Sequence, residues 1–163
     1  MGKLDKKEAP KLVIEELQGK AGFKPSARLV DQLRKKFPER KYYDAFGQFG
    51  MDEDSFSDLH ITRVARVKRK IAVILVGESE NRAFRGDHLF VDPKFAAHRI
   101  GEKLIRSIFA DHNSFTLEPY PLSKAPGLEE GFSRDNRESA LRAYYGRMGF
   151  EFTSGSEMKW TRK

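Results

Sequence analysis

A chain of 163 residues with 39% hydrophobic and 12% aromatic content can bury one sizeable core, as expected of a single domain over residues 1–163. It contains no Cys, which excludes disulfides, thiolate metal sites and a Cys nucleophile and leaves any catalysis to oxygen and nitrogen side chains. The net charge of +7 favours a polyanionic partner, whether nucleic acid, anionic lipid or a small ligand bearing several phosphates, and does not separate these.

Thirteen Phe residues are too many for a disordered chain, so the charged fraction of 34% reads as a solvated surface over a real core. Met1 to Lys7 are charged with no apolar region behind them, and no apolar run reaches a membrane-spanning length. The expectation is a cytoplasmic protein with no membrane contact. Basic residues cluster at Arg34, Lys35, Lys36, Arg40 and Lys41, and again at Arg63, Arg66, Lys68, Arg69 and Lys70; such runs are usually solvated faces.

In chain order, residues 11–17 are short and rich in β-branched side chains and predict a first strand. Ser26 reads as an N-cap for a helix over Ala27–Phe37, with Leu29, Val30, Leu33 and Phe37 at helical spacing and Pro38 ending it. Residues 40–58 lack a clean period and predict a short helix and a loop. Leu59–Val67 and Ile71–Val76 predict two strands, with Gly77–Asp87 as a loop and His88–Val91 as a strand stopped by Asp92-Pro93. Residues 100–110 form the strongest amphipathic helix, with Ile100, Leu104, Ile105, Ile108 and Phe109 on one face.

Ser114–Leu117 predicts another strand, and the prolines and glycines between Pro119 and Gly131 predict a long structured loop. Helix returns over 136–148, with Leu141, Tyr144, Tyr145 and Met148 on one stripe and Gly149 placed as a left-handed cap. Phe150–Phe152 and Glu157–Thr161 predict a closing strand pair. This order of elements is that of an α/β or α+β domain with a mixed sheet flanked by helices.

The segment from Leu89 to Ser107 is a strand, a loop and a helix N-terminus, whose unpaired N–H groups and positive dipole end suit an anion. Gly101 would let a bulky ligand approach the backbone, or would serve only tight helix-to-sheet packing. Here the run Val91-Asp92-Pro93-Lys94-Phe95-Ala96-Ala97-His98-Arg99-Ile100-Gly101 resembles the acetyl-coenzyme A loop of GNAT N-acetyltransferases, Val-x-Pro-x-aromatic-Arg/Gln-x-x-Gly-x-Gly. Leu141 to Phe150 is similar to that family's last helix, apolar-x-x-apolar-Tyr-x-x-x-Gly-Phe.

The resemblance implies a mixed, mostly antiparallel sheet splayed between its fourth and fifth strands, with acetyl-coenzyme A as co-substrate lying in the split. Phe90 and Val91 would offer backbone groups to the pantetheine arm, and residues 96–101, Ala96, Ala97, His98, Arg99, Ile100 and Gly101, would cradle the pyrophosphate. The chain departs from the pattern at Ala96, where the family has Arg or Gln, at Arg99, where it has its first Gly, and at Glu138, where many members carry Asn, with Asn136 two residues away. Backbone N–H groups can bind phosphate whatever the side chain, and Arg99 would either add a charge-assisted contact or fill the groove.

Tyr145 sits where the family's tyrosine is thought to protonate the departing thiolate, a sensible role for a phenol of ordinary pKa near 10. Tyr144 reads as a core aromatic. Direct attack needs a neutral amine, so a base must take its proton; Glu118 is the first choice, with His88 and Asp92 as alternatives, and backbone N–H groups near Val91 would activate the carbonyl. The resemblance thus implies a metal-free N-acetyltransferase acting on a primary amine. Against it stands a GNAT-fold module without catalysis that binds nucleic acid or a protein partner through its basic surface, and the chain could pair with a second copy of itself. The loop 118–137 and the aromatic segment 42–49 are the expected acceptor walls.

Overall fold

The computed structural model describes residues 11–36, 52–119, 142–155 and 157–163, with backbone alone at 96–98. A seven-stranded sheet runs in the order β1-β2-β3-β4-β5-β7-β6. The strands are β1 (Leu12–Gln18), β2 (His60–Val67), β3 (Lys70–Glu80), β4 (Ala83–Val91), β5 (Ser114–Leu117), β6 (Glu151–Ser154) and β7 (Glu157–Thr161). Every neighbouring pair is antiparallel except β4 and β5, which are parallel. A parallel pair needs a crossover, supplied here by α2 (Ile100–Asp111).

The two faces of the sheet bury separate cores. On one, Leu29, Val30 and Leu33 of α1 (Phe23–Lys36) pack against Val64, Ile74, Val76 and Phe90. On the other, Leu104, Ile105 and Ile108 of α2 pack against Val73, Leu75, Phe84 and Leu89, together with Tyr145 from the helix α3 at 142–147 and Met148 just after it. Adjacent residues of β3 thus serve opposite cores, because side chains alternate across a pleated strand. Among the described residues no helix is long and apolar enough to cross a membrane.

Two predicted elements are corrected. Gly77–Asp87 is not a loop: β3 runs to Glu80 and turns at Asn81-Arg82 (φ 53° and 63°) into β4. Its polar composition reflects solvent-facing cross-strand partners such as Glu78 and Arg85, which are register neighbours joined by a 2.5 Å ion pair. Ser26 is not an N-cap: the helix begins at Phe23, and Ser26 Oγ donates to the Gly22 carbonyl at 2.8 Å. Pro25 explains the shift, since its fixed φ suits a first helical turn. In the stretch expected as short helix and loop, Glu53–Ser55 form one 3-10 turn, capped by Asp52; residues 40–51, like 120–141, lie outside the described residues.

Arg63 ties three elements together. It is 6% exposed and donates from β2 to Glu16 on β1 at 2.8 Å and to Asp111 on α2 at 2.6 Å, with a further bond to the Ser107 carbonyl at 2.6 Å. A guanidinium can be buried because its planar fork satisfies all these acceptors at once.

Candidate active site

The expected split in the sheet is present. β4 and β5 share three residue pairs, Ala83 with Ser114, Phe84 with Phe115 and Arg85 with Thr116. Beyond them β4 continues to Val91 paired with β3 alone. At the point of divergence the β3/β4 register shifts: Val76 faces His88 but Gly77 faces Gly86, leaving Asp87 as the additional residue of a bulge. A bulge bends its strand and re-aims a side chain. Here Asp87 joins Gly86, Thr116, Leu117 and Glu118 in lining an open cavity of about 310 Å³.

Asp87 is held from behind. Its Oδ2 lies 3.0 Å from Nε2 of His60, a residue 9% exposed at the start of β2. The backbone N–H of Ser57 meets His60 Nδ1 at 3.0 Å, and an amide can only donate, so Nδ1 is the acceptor and Nε2 carries the proton towards Asp87. His60, Glu78 and Asp87 place ligand atoms within 4.8 Å of one another, a separation that a metal ion could bridge. Arg85 already supplies the cation there, 2.5 Å from Glu78 and 3.9 Å from Asp87. Glu118 is exposed and makes no hydrogen bond or ion pair among the described residues.

Asp87 is the residue that sequence reasoning missed. The signal was Gly86, since a lone glycine inside a strand marks a bulge or a close approach. The partnership with His60 spans 27 positions and has no local signature. Of the other expected bases, His88 stacks on Phe90 with ring centroids 5.5 Å apart. Asp92 is 5% exposed and does not line the cavity; it accepts from Lys36 at 3.3 Å and from the Lys94 N–H at 3.0 Å.

The loop after β4 forms a 3-10 turn over Pro93–His98 and enters α2 at Ile100. Of Ala96, Ala97 and His98 only the backbone is described. Arg99 takes the left-handed conformation (φ 53°, ψ 36°) without a side-chain cap. Glycine adopts that conformation without strain, which is the physical reason a glycine suits this position. Phe90 is fully buried in the α1 core, whereas Val91 is partly buried. A Cβ placed on Gly101 would lie 3.8 Å from both Val91 Cγ2 and the Tyr144 hydroxyl, so strand end, helix start and α3 converge there.

Both tyrosines of α3 pack on the core, but unequally. Tyr145 is 1% exposed and meets Phe150 edge-on at 5.6 Å. Tyr144 is only partly buried, and it is the hydroxyl of Tyr144 that lies beside Gly101. Burial, and then the negative charge of Glu102, raise its pKa above the usual phenol value. Gly149 takes φ 101° as the expected left-handed cap. Asn136 and Glu138 lie outside the described residues.

No protein-family model matches this chain, and no curated protein does. Solved structures do. The ribosomal-protein-S18-alanine N-acetyltransferase from Escherichia coli superposes with a TM-score of 0.60 at 13% identity, over 93% of this chain and 94% of the other. A GNAT-family acetyltransferase from Staphylococcus aureus Mu50 gives 0.56 at 11% identity, over 94% and 100%. PaiA N-acetyltransferase from Thermoplasma acidophilum, solved in complex with coenzyme A, gives 0.53 at 11% identity, over 93% and 99%. With its splayed mixed sheet, the bulge in β4 and the loop leading into α2, the chain has the GNAT acetyltransferase fold.

Proposed function

We propose that this protein is an N-acetyltransferase that moves an acetyl group from acetyl-coenzyme A to a primary amine. The observation that carries this reading is the carboxylate-lined cavity where β4 and β5 part. The residues present fit the cofactor: the first turn of α2 offers unpaired N–H groups at its positive end, and among the described residues only Val91 and Tyr144 atoms come within 4 Å of a Cβ added at Gly101.

Acetyl-coenzyme A would supply an activated thioester. The α2 N-terminus and the backbone of residues 96–101 would hold its pyrophosphate, with Arg99 adding charge. Backbone N–H groups at the end of β4 would polarise the carbonyl. Glu118 would take the proton from the attacking amine, Asp87 would orient that amine, and Tyr145 would give a proton to the departing sulfur.

Calorimetry and thermal shift with acetyl-coenzyme A test this first, because a ligand that binds only the native state raises its apparent stability. A clear shift is expected, followed by thiol release with a member of an amine panel. Gly101→Ala has room to fold and should bind normally, whereas Gly101→Val should bind at least tenfold more weakly, since branched atoms would project into the ligand's path. No heat and no shift at millimolar ligand overturns the proposal. Salt-sensitive retention on nucleic acid in the same preparation would identify the non-catalytic module instead.

A further inference from the structure

A second cavity, of about 430 Å³, opens between α1, the β2–β3 hairpin and the loop after β4; Gly101 and Tyr144 are not in its lining. Helix α1 contributes Arg28, Lys35 and Lys36; the β2–β3 hairpin contributes Arg66, Arg69 and Lys70; the loop after β4 contributes Lys94. The one carboxylate in the lining is Asp92. Lys36 is paired with it at 3.3 Å, and Arg66 with Glu15 at 2.9 Å. Arg28, Lys35, Arg69, Lys70 and Lys94 have no ion pair among the described residues.

Two further observations point to a ligand. The hairpin turn is Lys68-Arg69, both left-handed at φ 50° and 72°. Asn-Gly would take a two-residue turn of this kind with less strain, as it would at Asn81-Arg82; what sets the Lys68-Arg69 turn apart is that Arg69 and the adjoining Lys70 line the cavity. Independently, the charge of Lys70 and its close contact, then burial and the charge of Lys36, lower the pKa of Lys94 against the opposing pull of Asp92. The cations are therefore crowded against one another, with Asp92 as the one carboxylate of the lining to offset them. Ile71 and Phe95 add an apolar wall to the same cavity.

We infer that this cleft is a second anion site, separate from the acetyl-transfer site, which takes a nucleotide-sized ligand bearing two or more linked phosphates. The volume holds one such molecule rather than a polymer. Three separate elements converge on it with cations, which suits a chain of phosphates, and the wall of Phe95 and Ile71 suits a base.

Calorimetry with inorganic tripolyphosphate and with ATP, at about 50 mM and about 200 mM salt, tests this. Both probes should bind, more weakly at the higher salt. Arg69→Gly removes a charge while relieving the left-handed strain, so it should fold at least as well as the parent. It should bind either probe roughly tenfold more weakly, as should Lys70→Gln. Saturating acetyl-coenzyme A should leave both affinities unchanged. The proposal is overturned if millimolar tripolyphosphate gives no heat at low salt, or if both variants bind like the parent. Displacement of ATP by acetyl-coenzyme A would also overturn it, by making the cleft part of the cofactor's own site. Tighter binding of an RNA oligonucleotide than of tripolyphosphate through the same residues would overturn it in favour of a polymer-binding face.

Discussion

His60 directs its Nε2 proton at Asp87 across 3.0 Å, and the direction is imposed by an amide of the preceding turn, Ser57, which occupies the other ring nitrogen. With Arg85 3.9 Å from the second oxygen, both oxygens of Asp87 are engaged, while those of Glu118 across the same cavity have no partner among the described residues. Three carboxylates, Asp87, Glu118 and Glu157, line one space; Glu157 accepts from the Thr153 hydroxyl at 2.6 Å, so among the described residues Glu118 is the one without a hydrogen-bond partner.

Glu118→Gln should therefore cost more than Asp87→Asn. A general base contributes roughly 100-fold to 10,000-fold, so kcat for Glu118→Gln should fall within that range. Asp87→Asn should raise KM for the amine with a smaller change in kcat, as expected of an orienting group. The reverse ranking would assign the base to Asp87.

Tyr145→Phe and Tyr144→Phe separate the acid from the packing residue. If Tyr145 protonates the departing sulfur, its loss of hydroxyl should lower kcat roughly 100-fold with cofactor affinity nearly unchanged. Tyr144→Phe should act chiefly on cofactor affinity, because its hydroxyl lies beside Gly101. Isothermal titration together with a thiol-release assay distinguishes the two outcomes.

Arg99→Gly should stabilise and weaken at once. It removes a left-handed non-glycine residue, worth about 1 kcal/mol, so the melting temperature should rise by a few degrees. If the guanidinium also contacts phosphate, coenzyme A affinity should fall roughly tenfold despite the gain in stability. Unchanged affinity would restrict this position to a conformational role.

The Arg63 cluster should make stability pH-dependent in the acid range. Burial pushes the Asp111 carboxyl up, but hydrogen bonds from Arg63 and His112 and their charges outweigh it, leaving the pKa below the ordinary carboxylate value. A depressed carboxylate stabilises the fold fully above the unfolded value of about 4, and the contribution is lost as pH falls below that value and through the lower folded pKa. Arg63→Met should flatten this dependence below pH ~4 in denaturant titrations. Arg63→Ala, which leaves two carboxylates without their cation, should cost about 3 kcal/mol at neutral pH.

How much of this was legible in the sequence varies with the range of the interaction. Ser114–Leu117 and Glu157–Thr161 form where local pattern and flanking polar residues place them. The second half of β3 was not legible, because Glu78, Ser79 and Glu80 face partners that only pairing supplies. In the site, Gly101 and Glu118 follow from chain position. Asp87 does not: its role arises from a one-residue register slip against β3 and from a histidine at the far end of another strand.

The short join between β4 and β5 gives the sheet two leaves, β1 to β4 on one side and β5, β7 and β6 on the other. Three residue pairs are a narrow spine, and α2, which packs on β2, β3, β4 and β5, braces it from below. Leverage then concentrates at Arg85 and Thr116, the last pair before the leaves part. A wedge entering the gap would load that corner first, so its width is set as much by how α2 sits as by the groups lining the gap. Substitutions under the helix, remote from the carboxylates, thus tune how wide the gap opens.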